Sequence, residues 1–161
     1  MVMELHPTWE FISDTVMGGV SLGQISIEEI AGRRATRLKG DVSLDNNGGF
    51  VQMAFSINDD GSTFDASSFN AIELGVFGNN ETYDLRLRTT DLTRPWQSYR
   101  ASFEVPPAWT SVAVPLTDFI PHKTDIQFDQ CCLRRIGILA IGRVFKADVA
   151  VSSVRFLRAK K

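Results

Sequence analysis

With 161 residues, 43% hydrophobic and 22% charged, the chain has the size and composition of one packed domain, residues 1–161, and excludes disordered, collagen-like and coiled-coil classes. A formal net charge of −2, without a long Lys or Arg run, supplies no field for a phosphate backbone and argues against nucleic acid as a partner. The N-terminal run Met1 to Pro7 lacks the basic and apolar regions of a signal peptide, and no stretch is apolar enough to span a bilayer, so no membrane insertion is expected. Cys131 and Cys132 are adjacent, too close for an ordinary disulfide, which predicts a reducing, cytoplasmic setting. Asn80-Glu81-Thr82 matches a glycosylation sequon and, without a secretory signal, reads as a chance match.

In chain order, Trp9 to Ser13 predicts a first short strand. Val20 to Glu28 alternates, with an apolar face that changes near Gly23 and suggests a bulge or bend there. A turn at Ala31-Gly32 leads into Ala35 to Lys39, and Gly40 to Asn47 returns the chain toward a glycine pair. Phe50 to Ser56 places Val51, Met53 and Phe55 on one face. Asn58 to Ser62 reads as a loop.

Further on, Ile72, Leu74 and Val76 share a face, Gly78-Asn79-Asn80 turns, and Tyr83, Leu85 and Leu87 alternate with Asp84, Arg86 and Arg88. This pattern predicts a hairpin. Beyond the Thr93-Arg94-Pro95-Trp96 connection, Tyr99, Ala101, Phe103 and Val105 alternate with Ser98, Arg100, Ser102 and Glu104, until Pro106-Pro107 ends the strand. Trp109 to Val114, Ile136 to Ile141 and Val149 to Phe156 bring the expectation to nine or ten strands, with Ile126 to Leu133 an irregular loop or one helical turn. The fold class expected is all-β, a two-sheet β-sandwich with little or no helix.

Two glycine pairs, Gly18-Gly19 and Gly48-Gly49, read as structural corners, the first between Asp14 and Ser21, the second leading into Phe50. Asp14, just before its turn, is expected to accept local backbone N–H bonds. Neither pair opens a helix, so neither reads as a phosphate cradle. Asp45-Asn46-Asn47 lacks the order of a calcium loop, and His6 and His122 lack zinc-spaced partners. No metal and no cofactor are expected.

Trp9, the octet Asp14 to Ser21, Gly48-Gly49-Phe50, Tyr83 to Arg88, Ser98 to Phe103, Trp109, Val114-Pro115-Leu116, Asp118-Phe119 and Ile136-Gly137-Ile138 resemble the pattern of the complex I intermediate-associated protein 30 (CIA30) family, over about residues 9–156. The resemblance implies a galactose-binding-domain-like jelly roll. It also implies a chaperone role in assembling respiratory NADH:ubiquinone oxidoreductase, with a protein client or complex subunit as partner.

Arg86, Arg88 and Arg100 fall on the face opposite the aromatic residues of their strands. They form either a solvated outer face or a recognition surface for carboxylates, sugar hydroxyls or an acidic protein edge. Trp96 is the expected exposed anchor, and Trp9 and Trp109 are expected in the core. No nucleophile, base and orienting group assemble by residue type, which points away from an enzyme, although Asp14, Asp45 and Asp118 could supply a carboxylate pair. The reading is a non-catalytic interaction module, with a carbohydrate or small-ligand binding module as the alternative.

Overall fold

The computed structural model describes residues 2–13, 21–44, 49–94, 96–141 and 143–158. It is 62% strand and 4% helix. Twelve strands are found among these residues: β1 (Val2–Glu4), β2 (Glu10–Ser13), β3 (Leu22–Ile30), β4 (Arg33–Val42), β5 (Phe50–Ser56), β6 (Ala71–Phe77), β7 (Glu81–Thr89), β8 (Ser98–Val105), β9 (Thr110–Pro115), β10 (Ile120–His122), β11 (Leu133–Ile141) and β12 (Phe145–Leu157). Two 3-10 turns, Leu116–Asp118 and Gln130–Cys132, interrupt them.

Two six-stranded antiparallel sheets face each other. The first runs β3-β4-β12-β6-β9, with β1 added on β12, and the second runs β10-β8-β7-β11-β5-β2. Inward alternation builds the core between them: Leu38, Ile72, Leu74 and Val149 come from the first sheet, Met53, Phe55, Leu85 and Ile138 from the second. This is the all-β sandwich expected, in jelly-roll form.

The strand count exceeds expectation because β1 and β10 span three residues each, too few to show a period. The hairpin expected from Ile72 through Leu87 does not form. β6 pairs β12 and β9, whereas β7 pairs β11 and β8, so Gly78 to Asn80 carries the chain from one sheet to the other. Both sheets bury one face, and alternation alone reports a buried face without reporting which sheet owns it. The crossing is held by specific polar contacts. Gly78 N–H donates to Pro106 O at 2.9 Å, Asn80 N–H to Val105 O at 2.9 Å, and Asn79 Nδ2 to the β12 carbonyl of Lys146 at 2.8 Å. Tyr83 completes the tie: its hydroxyl donates to Asn79 Oδ1 at 2.8 Å and accepts the Asp148 N–H at 2.9 Å. Burial pushes that phenol up to about 12, so it stays a neutral donor.

No bulge occurs at Gly23. The β3 to β4 register runs unbroken from Leu22↔Asp41 to Ile30↔Arg33, with Gly23 opposite Gly40. A Cβ on Gly23 would meet Lys39 O at 2.7 Å, so the glycines permit close strand approach. Ser21 fastens the start of this hairpin, accepting the Ser43 N–H at 2.8 Å and donating to Ser43 O at 3.2 Å. Gly49 has φ +143°, a conformation that disfavours a side chain, and it leads directly into half-buried Phe50 at the start of β5. Asp14, Gly18, Gly19, Asp45, Asn46, Asn47 and Gly48 lie outside the described residues.

Candidate functional site

The outward face of the second sheet gathers most of the sequence-predicted site residues. In the β7–β8 hairpin Arg86 stands opposite Arg100, and β11 brings Arg135 opposite Arg88. Period-two alternation turns these side chains away from the core while Tyr83, Leu85, Leu87, Tyr99 and Phe103 fill it. β10 adds His122 beside Ser98 and Ile120 beside Arg100.

These outward residues are not uniformly solvated. Asp84, Arg86 and Ser98 are 4%, 7% and 6% exposed although they point away from the core, so they shelter one another. Asp84 is the hub. Its Oδ2 accepts Arg86 Nε at 3.0 Å and Nη2 at 2.8 Å, while Arg100 Nη2 reaches its Oδ1 at 3.1 Å. Arg86 Nη1 donates to Ser98 Oγ at 3.0 Å. Burial lowers the proton affinity of the Arg86 guanidinium and the Asp84 carboxylate pulls it back, so the ion pair holds a charge that desolvation disfavours. Both Asp84 oxygens are engaged by guanidinium groups, which leaves no carboxylate oxygen poised as a base.

Arg86 is therefore a strut, while Arg100, with 39% of its side chain exposed, forms the accessible edge of the same network. Arg88 Nη2 donates to Arg94 O at 3.0 Å and braces the loop between β7 and β8. In that loop Trp96 is 55% exposed, with the Arg94 guanidinium 5.9 Å from its ring centroid. Trp9 packs edge-on against Phe55 at 4.8 Å on the rim of the core. Trp109 lies outside the core, half-buried: its indole N–H donates to Ile30 O at 2.8 Å, and Arg33 sits 5.1 Å above the ring. A polar atom with a backbone partner lets that tryptophan cap a sheet edge.

Asp84 and Arg135 escaped the sequence reading. The Asp-x-Arg spacing of Asp84 and Arg86 puts both on one face, but only the β7–β8 register adds Arg100 as a third member. Burial, followed by Arg86, Arg100 and Lys123, holds the His122 imidazole below its ordinary value, with Asp84 opposing. The folded state thus binds this proton less readily than the unfolded chain. The group is without effect well above about pH 6.5 and costs stability as the pH falls through and below it. Between about pH 7.5 and about pH 5.5 the urea midpoint of the wild type should fall further than that of His122→Asn. Equal declines would remove His122 from the account.

Cavities adjoin both sheets among the described residues. One of about 380 Å³ is lined by Arg100, Ser102, Asp118 and Ile120 beside β8. The other, of about 330 Å³, opens where β1 and β4 both pair with β12 and leave Ser152 and Ser153 between them; Glu4, His6, Trp9 and Arg34 line it. Asp91, Asp129 and Cys132 bring one donor atom each within 4.8 Å of one another. The Cys132 thiol donates to Asp91 Oδ2 at 3.2 Å, and burial together with that hydrogen bond pushes the thiol up, so it is held as a proton donor. No helix among the described residues is long and apolar enough to cross a membrane.

Solved structures share this architecture. The family 11 carbohydrate-binding module from Clostridium thermocellum, in complex with a β-1,3-1,4-mixed-linked tetrasaccharide, is similar with TM-score 0.78 at 10% identity, over 99% of this chain and 97% of that one. The family 30 module of a cellulosomal cellulase of the same organism has TM-score 0.74 at 14% identity, over 100% and 99%. At such identities the likeness shows the fold, a galactose-binding-like jelly roll. No curated protein matches the sequence. The model of the complex I intermediate-associated protein 30 family matches residues 3–149, and the chain belongs to that family.

Proposed function

We propose that this chain is a non-catalytic binding module that holds a protein client through the outward face of the second sheet, in the manner of an assembly factor for respiratory complex I. The observation that carries the reading is the Asp84 hub. It fixes Arg86 and orients the exposed Arg100 guanidinium on the sheet, and the loop that joins β7 to β8 exposes the Trp96 indole. Arg and Trp dominate binding hot spots, and rigid presentation lowers the entropy lost on association. Family membership supports an assembly-related role. The free thiols Cys131 and Cys132 suit a reducing, cytoplasmic compartment.

Arg100→Ala and Trp96→Ala should each weaken client binding by about 2 kcal/mol or more while leaving the denaturant midpoint near that of the wild type. Capture of clients from membrane and cytosolic fractions of the source cells checks this. The likeness to carbohydrate-binding modules supports a second reading, a saccharide ligand. It takes over if both variants retain every partner while a mixed-linked β-glucan oligosaccharide raises the wild-type melting temperature.

A further inference from the structure

β3 lies at one end of the first sheet and, among the described residues, pairs with β4 alone. A free strand edge is a template for further pairing, and proteins shield such edges with short strands, bulges, proline or lysine. The other strand edges follow that rule: β1 and β10 span three residues each, the latter with Pro121, β2 spans four, and β9 ends on Pro115. β3 does not. It runs nine residues without proline, lysine or a break in register, and it exposes Leu22 at 69% and Ile27 at 64%.

Hairpin geometry fixes which backbone groups of β3 are free. Ala31 and Gly32 have φ of +46° and +82°, both positive as a two-residue hairpin turn favours, which makes Ile30 and Arg33 a hydrogen-bonded pair. Alternating from there, Leu22, Gln24, Ser26, Glu28 and Ile30 aim their N–H and C=O groups at β4, while Gly23, Ile25, Ile27 and Glu29 aim theirs away from it. The sequence of this edge is complementary to itself. Two copies related by a two-fold axis at Ser26 overlap along the whole strand, with Ile25 opposite Ile27, Leu22 opposite Ile30, Gln24 opposite Glu28 and Gly23 opposite Glu29. The residues with free backbone groups then meet one another, apolar side chains face apolar ones, and no two carboxylates are opposed.

We propose that β3 pairs antiparallel with β3 of a second copy of this chain, about a two-fold axis at Ser26, and so joins two first sheets into one continuous sheet. Neighbouring registers fit less well. An axis at Ile25 sets Glu28 against Leu22, an axis at Ile27 sets Glu29 against Ile25, and each shortens the overlap. Glu28 enters the pairing already held, accepting hydrogen bonds from Ser26 Oγ at 2.6 Å and Arg37 Nη1 at 3.3 Å. Ile25 is half-buried at the margin of the core, so the exposed Ile27 of the second copy gains an apolar neighbour there.

Sedimentation of the full chain between about 1 µM and about 300 µM tests this, and wild type should pass from monomer to dimer within that range. Ile27→Lys sets an ammonium against Ile25 of the other copy, and Ile27→Pro removes an N–H that β4 does not use; each should weaken dimerisation about tenfold or more. Val144→Lys, at an exposed apolar position outside β3, should dimerise like wild type. If Ile27→Pro fails to fold, the exposed Ile27→Lys decides alone. Cross-linking reads the register. In a Cys131→Ser, Cys132→Ser background, Ser26→Cys should join to its copy on mild oxidation, and Gln24→Cys, about 13 Å from its copy along the strand, should not. A wild type that stays monomeric throughout, a dimer that survives both Ile27 substitutions, or equal cross-linking at the two positions would each overturn the proposal. A monomeric wild type that loses a protein partner on Ile27→Lys would assign this edge to a strand of that partner and overturn self-pairing as well.

Discussion

Asp84→Ala should destabilise the protein by about 3–5 kcal/mol, because it strips the partner from the buried Arg86 guanidinium and leaves that charge uncompensated. Ser98 Oγ, at 3.0 Å from Nη1, cannot replace a carboxylate. The reverse deletion is milder: without Arg86, Asp84 still keeps Arg100. Asp84→Ala combined with Arg86→Met should recover much of the loss, since a packed apolar pair replaces a buried ion pair at little cost. Urea denaturation of the two single variants and the double variant checks the ordering. An Asp84→Ala midpoint equal to that of the wild type would show that the hub holds nothing in place.

Phe156→Ala should cost about 3–5 kcal/mol. The ring is fully buried in β12 and stacks between Phe64 at 5.2 Å and Phe69 at 5.4 Å. Phe64 belongs to the crossing between β5 and β6, where its N–H donates to Leu133 O at 2.8 Å and its carbonyl accepts the Leu133 N–H at 3.1 Å. The aromatic stack thus pins a connection of the first sheet to β11 of the second. Phe156→Leu should restore most of the stability, and Val144→Ala, at a 71% exposed position, should stay within about 0.5 kcal/mol of wild type. A loss below about 1 kcal/mol for Phe156→Ala would mean that the site collapses around the gap.

The strands that carry the site were legible from residue pattern. Tyr83 to Arg88 and Ser98 to Val105 alternate without a break, and in the structure they pair as β7 and β8 with their arginines facing outward. Alternation fixes the face of each side chain within a single strand, so a local signal sufficed for that, while the pairing of the two strands came only from the structure. The run Ile72 to Val76 alternates as clearly, yet its sheet was misassigned, because strand partners there depend on contacts with residues about seventy positions away, such as Asn79 with Lys146.

Sequence alone determined the all-β class, the face on which each residue of β7 and β8 lies, and, through the residues shared with the family, the jelly roll, because side-chain period and residue type are local properties of the chain. Only the tertiary structure decided that Arg86 is a buried strut while Arg100 is an accessible edge, and that β11 sets Arg135 opposite Arg88. Burial and charge pairing are set by the strand across the sheet, and register is a cooperative property of the whole sandwich that no single strand encodes.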